Sequence, residues 1–501
     1  MSAPVFGTID QRFNDEPLPT PPVDFAAVAL VSTATGADAT AFPEYEAVRF
    51  NSSNAAKAAK LGTGDLADAV RGINDQLGRA QRAADLIVVR VPEGVSATPA
   101  VKLQQTMANV ITGLQALKVA PPKINRTPRL VYAGYTDTTY QGLTALAATT
   151  AGAGYTPGQS YPLTFSGGGA GAVQATGQAV ATDAGAITTA TLVIDTPGTY
   201  TAAPAVTVAA PGGGGTTAIL AATIDNVGNP VVAALPPVLN ALLARAIVDL
   251  DATSLAASVE QRETIGSERI MPVGIKAKVF DTASATTVIR PMAPRALGLQ
   301  VRVIHESGGK PFETIANRQI YGIVGTSRDI EFDLRDGASE GQQLLASEIA
   351  IVVRGETDVD GAIADGGFVF IGLDNCATDG DLWQQWHQVG GADFIDVEHM
   401  RLTRRFLGPK MSADTAEAWI NSLKFNLRDH KADDDILGYK VTFEPDQNSP
   451  ENIRAGRLTV DLGIEEAPAF RVAKRNVRRY RQAVADLVSD MAARINANAL
   501  S

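Results

Sequence analysis

Between Val23 and Gly134 the chain alternates short apolar runs with stretches of helical period, and this alternation limits the fold more than any other feature. Phe25–Val31 and Asp85–Val91 (Asp-Leu-Ile-Val-Val-Arg-Val) are continuous apolar runs, the pattern of strands buried on both faces. Glu46–Phe50 predicts another strand. Asn54 is placed to cap a short helix ending near Leu61, and Asp65 opens a second through Leu77. Met107, Val110, Ile111, Leu114 and Leu117 share one face of a longer helix over Val101–Leu117, which Pro121-Pro122 close. Arg129–Gly134 is the next strand. Strand, helix, strand, helix, strand predicts an α/β domain with a largely parallel sheet.

The pattern stops near Ala151 and resumes after Pro230. The intervening Gly, Ala, Thr and Val carry almost no charge and contain a weak repeat. Gly152-Ala-Gly-Tyr155-Thr is echoed by Pro197-Gly-Thr-Tyr200-Thr, and Pro162–Gly169 by Pro204–Val208 with Gly212–Gly215. The Val/Ile/Thr alternation of Ala190–Ile194 marks strands, so 151–228 is read as an inserted all-β domain and not a linker. Beyond it, Val238–Ala244 is helical, Ala246–Leu250 a strand and Ser254–Gln261 a helix. Gly298–Ile304, Ile330–Leu334, Glu348–Arg354 and Val369–Gly372 read as strands. Helices are expected over Asp393–Phe406 and Ser412–Leu423, and a strand over Ile436–Phe443. The fold class is therefore α/β and α+β multidomain. Its expected parts are an arm and proline spacer (1–22), an α/β domain (23–150 with 229–380), the β insert (151–228), a mixed domain (381–457) and a terminal strand and helix (458–501).

Both ends carry apolar segments of their own. Val5, Phe6 and Ile9 precede Pro17, Pro19, Pro21 and Pro22, an apolar arm on a stiff spacer. Near the other end Leu458, Val460, Leu462 and Ile464 alternate with Arg457, Thr459, Asp461 and Gly463, the period of a half-buried strand. Glu465-Glu466-Ala467-Pro468 is expected to break it, after which Phe470 and Val472 resume the alternation. From Val477 the period becomes helical through Tyr480, Val484, Leu487, Val488, Met491 and Ile495. The strand has two readings at this point: a hairpin that completes its own sheet, or a strand added to a neighbour's.

Charge and composition narrow the function. Forty-three Lys and Arg against 54 Asp and Glu give a net charge of −11, which argues against a general nucleic-acid binder. Against that background Arg471, Lys474, Arg475, Arg478, Arg479 and Arg481 form a basic block at the start of the expected terminal helix. Positive charge there opposes the helix dipole, which favours either an electrostatic partner or a simple solvated face. The one cysteine, Cys376, excludes a disulfide framework and reads as a buried thiol. The first ten residues lack a basic region and an apolar core, so no signal peptide is expected, and Val231–Leu250 is interrupted by Pro236, Pro237 and Arg245, so no membrane insertion either. His305, His387, His399 and His430 are not at ligand spacing. The glycine runs 167–169 and 212–215 lack the Lys-Ser/Thr of a phosphate loop. Asp374 with Asp381 is a conceivable acid/base pair but reads first as an acidic loop, and Asp433–Asp435 reads as a polar turn. Catalytic residues, cofactor and metal are all expected to be none. A cytoplasmic α/β enzyme with a β-rich accessory domain, and a surface adhesin built on the repeat, are the competing classes.

The order of segments resembles the tail sheath proteins of contractile-tailed bacteriophages and, more distantly, the sheaths of related injection machines. The resemblance is carried by Gly113–Leu117 followed by Pro128–Gly134, by Ala246–Asp249, by Ile315–Ile323, by Trp386–Phe406 with Asp393-Phe-Ile, and by Arg454–Leu462 with Pro468-Ala-Phe470. Ala133 stands where family members often have proline. The resemblance implies a structural subunit, not an enzyme, forming hexameric rings stacked around a tail tube in the virion tail, assembled in the bacterial cytoplasm. It implies tube, baseplate and tail terminator proteins as partners, and contraction driven by a difference between two packings. It implies inter-subunit strand exchange at Val5, Phe6, Ile9, Leu458, Val460, Leu462 and Ile464, and offers Arg471, Lys474, Arg475, Arg478, Arg479 and Arg481 as a tube contact.

Overall fold

The computed structural model describes residues 23–80, 82–169, 172–281, 284–378 and 382–498. Val5, Phe6, Ile9 and Asp381 lie outside the described residues. The chain divides into two units between Ala467 and Pro468.

The first unit opens with strand β1 (Val28–Thr33), β2 (Ala47–Asn51), helix α1 (Ala55–Ala59) capped by Asn54, α2 (Asp65–Leu77), β3 (Asp85–Val91), α3 (Pro99–Lys118), α4 (Pro121–Ile124) and β4 (Leu130–Ala133). After an interruption come α5 (Pro230–Leu242) and two further strands of the same sheet, Arg245–Asp249 and Ile270–Val273, on either side of α6 (Leu255–Glu263). In the interruption lie β5 (Gln141–Thr150), β6 (Ser160–Ser166), β7 (Thr176–Val180), β8 (Leu192–Thr196), β9 (Ala205–Val208) and β10 (Ile219–Asn226), so the two later strands are β11 and β12. The main sheet has the order β12-β11-β4-β1-β3-β2, parallel except for β2 against β3.

Its period-two alternation feeds two cores. Val28, Leu30, Leu86, Val88, Leu130, Tyr132 and Ile247 face one cluster, which includes Leu66, Val70, Ile73 and Leu77 of α2. Ala29, Val31, Ile87, Val89, Val131, Ala246 and Val248 face the other, with Met107, Val110 and Leu114 of α3 and Val231, Leu235 and Leu239 of α5. All six residues of β1 are buried, as a strand covered on both faces requires. At Gly113 a Cβ would stand 2.7 Å from Val91 Cγ1 and 2.8 Å from Val31 Cγ1, which is how closely α3 rides on the sheet.

Helix α5 starts at Pro230, well before the expected Val238. Asn229 accepts from the amides of Val231 and Val232 at 2.9 and 3.3 Å, and a proline at the first turn is well tolerated. Pro236 and Pro237 lie inside the helix, so they did not mark a loop.

Strands β5–β10 form a β5/β10 pair and a four-stranded sheet β8-β7-β6-β9, around a cluster drawn wholly from this segment, including Leu143, Tyr155, Phe165, Tyr200, Val206 and Leu220. The pairing of β5 with β10 reaches ten residues upstream of 151.

Next come β13 (Ala277–Asp281), β14 (Thr286–Arg290), α7 (Ala293–Glu306), β15 (Arg318–Ile320), β16 (Gly325–Thr326), α8 (Glu340–Ala346), β17 (Ile351–Arg354) and β18 (Phe368–Ile371). The sequence reading of Gly298–Ile304 as a strand is wrong: this is the centre of α7. Every residue of Ala293–Ile304 is buried, so the apparent alternation was not of inward and outward positions. The polar members are paired inside. Arg295 reaches Asp68, Gln300 accepts from Trp386 Nε1 at 2.9 Å, and Arg302 donates to the Gln319 carbonyl at 2.7 Å. Asp249 at the end of β11 accepts from the Met292 and Ala293 amides at 2.7 and 3.0 Å and so starts the helix. Ile330–Leu334 is an irregular connection, and within Glu348–Arg354 the strand is β17 alone.

The unit closes with α9 (Trp386–Thr403), α10 (Ala413–Ala432), β19 (Ile436–Thr442), α11 (Pro450–Arg454) and β20 (Asp461–Glu466). The second unit is an irregular stretch over 468–481 followed by α12 (Gln482–Asn498).

Candidate assembly surfaces

Helix α9 is fixed to the main sheet before it can present anything. The buried Arg245 of β11 lies over the Trp386 ring, 4.6 Å from its centroid, and donates to the Trp386 carbonyl. Burial pulls the Arg245 guanidinium down to about 10, still charged at neutral pH. A Cβ at Gly390 would sit 2.2 Å from Arg245 Cζ, so only glycine lets the helix pass. One step along, Arg269 forms a two-pronged ion pair with Asp393, a side chain that is 4% exposed.

Helices α9 and α10 support the small sheet. β19 and β20 run antiparallel, with Tyr439 opposite Ile464 and Val441 opposite Leu462. Tyr439, Val441 and Ile464 pack on Ile395, Leu427 and Ile436. Among the described residues neither outer edge of this two-stranded sheet has a strand partner. A two-stranded sheet is marginal alone, and open edges are templates for further strands.

Of the strand residues expected from sequence, Leu462 and Ile464 lie in β20, while Leu458 and Val460 are half-buried in the connection before it. The strand runs through Glu465-Glu466, which do not break it. Glu466 is buried against α9, close to Gly391, and burial pushes its carboxyl up to about 7, so it is largely uncharged in mildly acid solution. Phe470 and Val472 do not form a second strand.

Beside the sheet is a charged cluster that sequence reading missed. His430 of α10 lies between Glu398 of α9 at 2.7 Å and Asp435 at 2.8 Å. Asn426 donates to the same Glu398 oxygen at 2.9 Å. Lys310 reaches Asp433 and Asp435 at 2.6 and 2.7 Å, and Phe312 and Phe394 wall the imidazole. Burial would lower the His430 pKa, but Asp435 and Glu398 outweigh it and push it up to about 9. His399, buried without such a pair of carboxylates, falls to about 4. Asp433–Asp435 is therefore more than a polar turn. The signal was its adjacency to His430; Glu398, 32 positions earlier, gave none.

The described side chains of the terminal unit are exposed, except the half-buried Ala469. Arg471, Lys474, Arg475, Arg478, Arg479 and Arg481 precede α12, contrary to the expectation that they occupy its first turns. Val477 and Tyr480 likewise lie before the helix, and the stripe Val484, Leu487, Val488, Met491 and Ile495 is between half and two-thirds exposed.

No arrangement resembling a catalytic centre accompanies these surfaces among the described residues. Asp374 bridges to Gln385 through its backbone. A groove of about 460 Å³ between the ends of α9 and α10 is lined by Phe406, Leu407, Met411, Trp419 and Leu458, with Arg457 the charged group at its rim. No group of three potential metal ligands occurs, and no helix is long and apolar enough to cross a membrane, among the described residues.

No family model matches the chain. Its relatives include the tail sheath protein of Escherichia phage P2, 22% identical over 233 residues, covering 46% of this chain and 55% of that protein. A putative prophage major tail sheath protein of Pseudomonas aeruginosa (strain UCBPP-PA14) is 26% identical over 251 residues, covering 48% of this chain and 61% of that one. The chain thus spans about half the length of the curated relatives it matches. Among solved structures, the sheath complex of the extracellular contractile injection system PVC in its contracted state matches with a TM-score of 0.56 at 11% identity, covering 96% of this chain and 99% of that chain. The contracted helical sheath of the anti-feeding prophage matches with a TM-score of 0.52 at 11% identity, covering 96% and 100%. These names are of structural proteins, in agreement with the expectation of a non-enzyme. The chain is thus related in sequence to contractile tail sheath proteins and has the fold of sheath subunits from contractile injection systems.

Proposed function

We propose that the protein is the structural subunit of a contractile tail sheath, stacking as hexameric rings around a tail tube and contracting to drive that tube through a host envelope. The observation that carries this reading is the β19/β20 sheet, held against α9 and α10 but without a further strand at either edge among the described residues. The relatedness to tail sheath proteins supports it.

Neighbouring subunits complete that sheet by strand addition: the arm bearing Val5, Phe6 and Ile9 is the donated strand, and the segment bearing Leu458, Val460, Leu462 and Ile464 offers the edge that receives a neighbour's strand. Because β20 already pairs with β19 in its own chain, the exchanged strands meet its outer edges and do not replace it. Such links hold rings together while subunits move as bodies, and contraction is driven by surface newly buried between them. In this reading 23–150 and 229–380 face outward, 151–228 decorate the surface, and 381–457 line the inside. Tube, baseplate and terminator proteins are its partners, in a virion tail assembled in the bacterial cytoplasm. Arg475, Arg478 and Arg479 face an acidic tube surface.

Expression of the protein with and without its tube protein, followed by negative-stain electron microscopy, tests the assembly. Ringed hollow tubes are expected. Monomers alone under both conditions would sink the proposal. Deleting 141–226, the segment whose strands pair only with one another, is expected to leave tube formation intact.

A further inference from the structure

The weak repeat in the β-rich segment has a structural counterpart that the proposed function does not use. β5 ends at Thr150 and β8 at Thr196, and two residues later each is followed by a glycine of positive φ: Gly152 at 65° and Gly198 at 63°. A Cβ at Gly152 would stand 2.6 Å from the Thr216 carbonyl oxygen, 2.7 Å from the Ala218 nitrogen and 3.0 Å from the Tyr155 ring. At Gly198 the corresponding neighbours are the Val173 carbonyl oxygen at 2.5 Å, the Ala175 nitrogen at 2.6 Å and the Tyr200 ring at 3.0 Å. The following residues make matching isolated bridges, Ala153 with Thr216 and Thr199 with Val173.

Each tyrosine then reaches into the other copy. The Ala218 amide donates to Tyr155 Oη at 3.0 Å, and the Ala175 amide donates to Tyr200 Oη at 2.5 Å. Ala175 immediately precedes β7 and Ala218 immediately precedes β10. The ladders are exchanged in the same way: β5 pairs with β10, and β8 with β7. The middle strands pair with each other, Leu163 opposite Val208 and Ser166 opposite Ala205. Antiparallel pairing of two equivalent strands is what a local two-fold axis produces. The pairing of β6 with β7 through 160–162, which β9 and β10 do not repeat, is the departure from symmetry.

We propose that residues 141–226 are one unit duplicated in tandem, its two copies interlocked about a local two-fold axis, with Tyr155 and Tyr200 as reciprocal latches that make the segment open as a single block. Neither copy can leave without breaking both latches and the central β6/β9 ladder. This holds whether or not the chain builds a sheath.

Amide hydrogen exchange on the full chain tests it. Tyr200→Phe and Tyr155→Phe keep the packed ring and remove the hydroxyl. In each variant the amides of both Ala175 and Ala218 are expected to exchange faster, by about tenfold, the factor carried by one buried hydrogen bond of ordinary strength. Amides of β1 should be unchanged. Acceleration confined to the amide bonded by the substituted tyrosine would show two copies opening independently and overturn the interlock. Gly152→Ala and Gly198→Ala give a second readout: equal losses of melting temperature are expected, and tolerance at one glycine with unfolding at the other would overturn the equivalence.

Discussion

The six-stranded sheet and the two-stranded β19/β20 sheet solve the same problem in opposite ways. The first is covered by helices on both faces, and β1, at its centre, has no exposed residue. The second is covered by α9 and α10 on one side, leaves Leu462 more than a third exposed, and has no strand beyond either edge among the described residues. A sheet of the first kind encodes a fold. One of the second kind leaves most of its backbone edges unpaired among the described residues, and it is these edges that the proposed strand addition would use.

The comparison breaks most readily at β1. Leu30→Ala, in the fully buried strand, should cost about 2–5 kcal/mol in urea unfolding. Ile464→Ala in β20 should cost well under half of that while reducing assembly. If the two substitutions destabilise the subunit equally, the small sheet is no less self-sufficient than the large one.

The His430 cluster next to the small sheet gives a pH test. A histidine whose folded pKa is raised stabilises fully below its unfolded value, near 6.5, and the contribution disappears as pH rises through about 9. The difference corresponds to about 3 kcal/mol. Asp65, Asp249 and Glu466 also have raised values, about 6, 7 and 7, but their stabilisation is lost at lower pH, between their ordinary carboxyl range and neutrality. Unfolding free energies measured from pH 7 to 9 should therefore fall more steeply in the wild type than in His430→Gln. An equal slope in both would remove the histidine from the account.

Smaller effects sharpen the contrast. Asp249→Ala removes the acceptor for two amides at the start of α7 and should lower stability by about 1–2 kcal/mol, without affecting assembly of folded subunits. Charge reversal at Arg475, Arg478 and Arg479 should change unfolding by less than about 0.5 kcal/mol, since these side chains are exposed. The same variant should fail to co-sediment with tube protein; unchanged binding would free the basic stretch from that role.

Much of the main sheet was legible because its strands are continuous apolar runs bounded by caps and prolines. Asp65–Leu77 and Asp85–Val91 have in the structure the limits that the residues predict. Legibility failed where polar side chains are buried with partners distant in sequence. Gln300 and Arg302 made Gly298–Ile304 resemble a strand, because their partners Trp386 and Gln319 cannot be seen locally. Glu466 looked like a strand breaker for the same reason. His430 and Glu398 become a pair only once α9 and α10 lie side by side. Of the expected strand-exchange residues, Leu462 and Ile464 lie in β20 and Leu458 and Val460 in the connection before it, whereas Val5, Phe6 and Ile9 lie outside the described residues.

Cys376 has a further consequence. It is the chain's one cysteine, it is completely buried, and burial raises its thiol to about 12. Almost no thiolate exists at neutral pH, so a folded copy cannot be covalently stitched to another through sulfur. No disulfide between folded copies of this chain is therefore expected. The same silence makes the native protein a ready background for reporters: a cysteine introduced at an edge of β19 or β20 would be the sole reactive thiol of the chain, and its crosslinking to a second copy would test whether a neighbour pairs there.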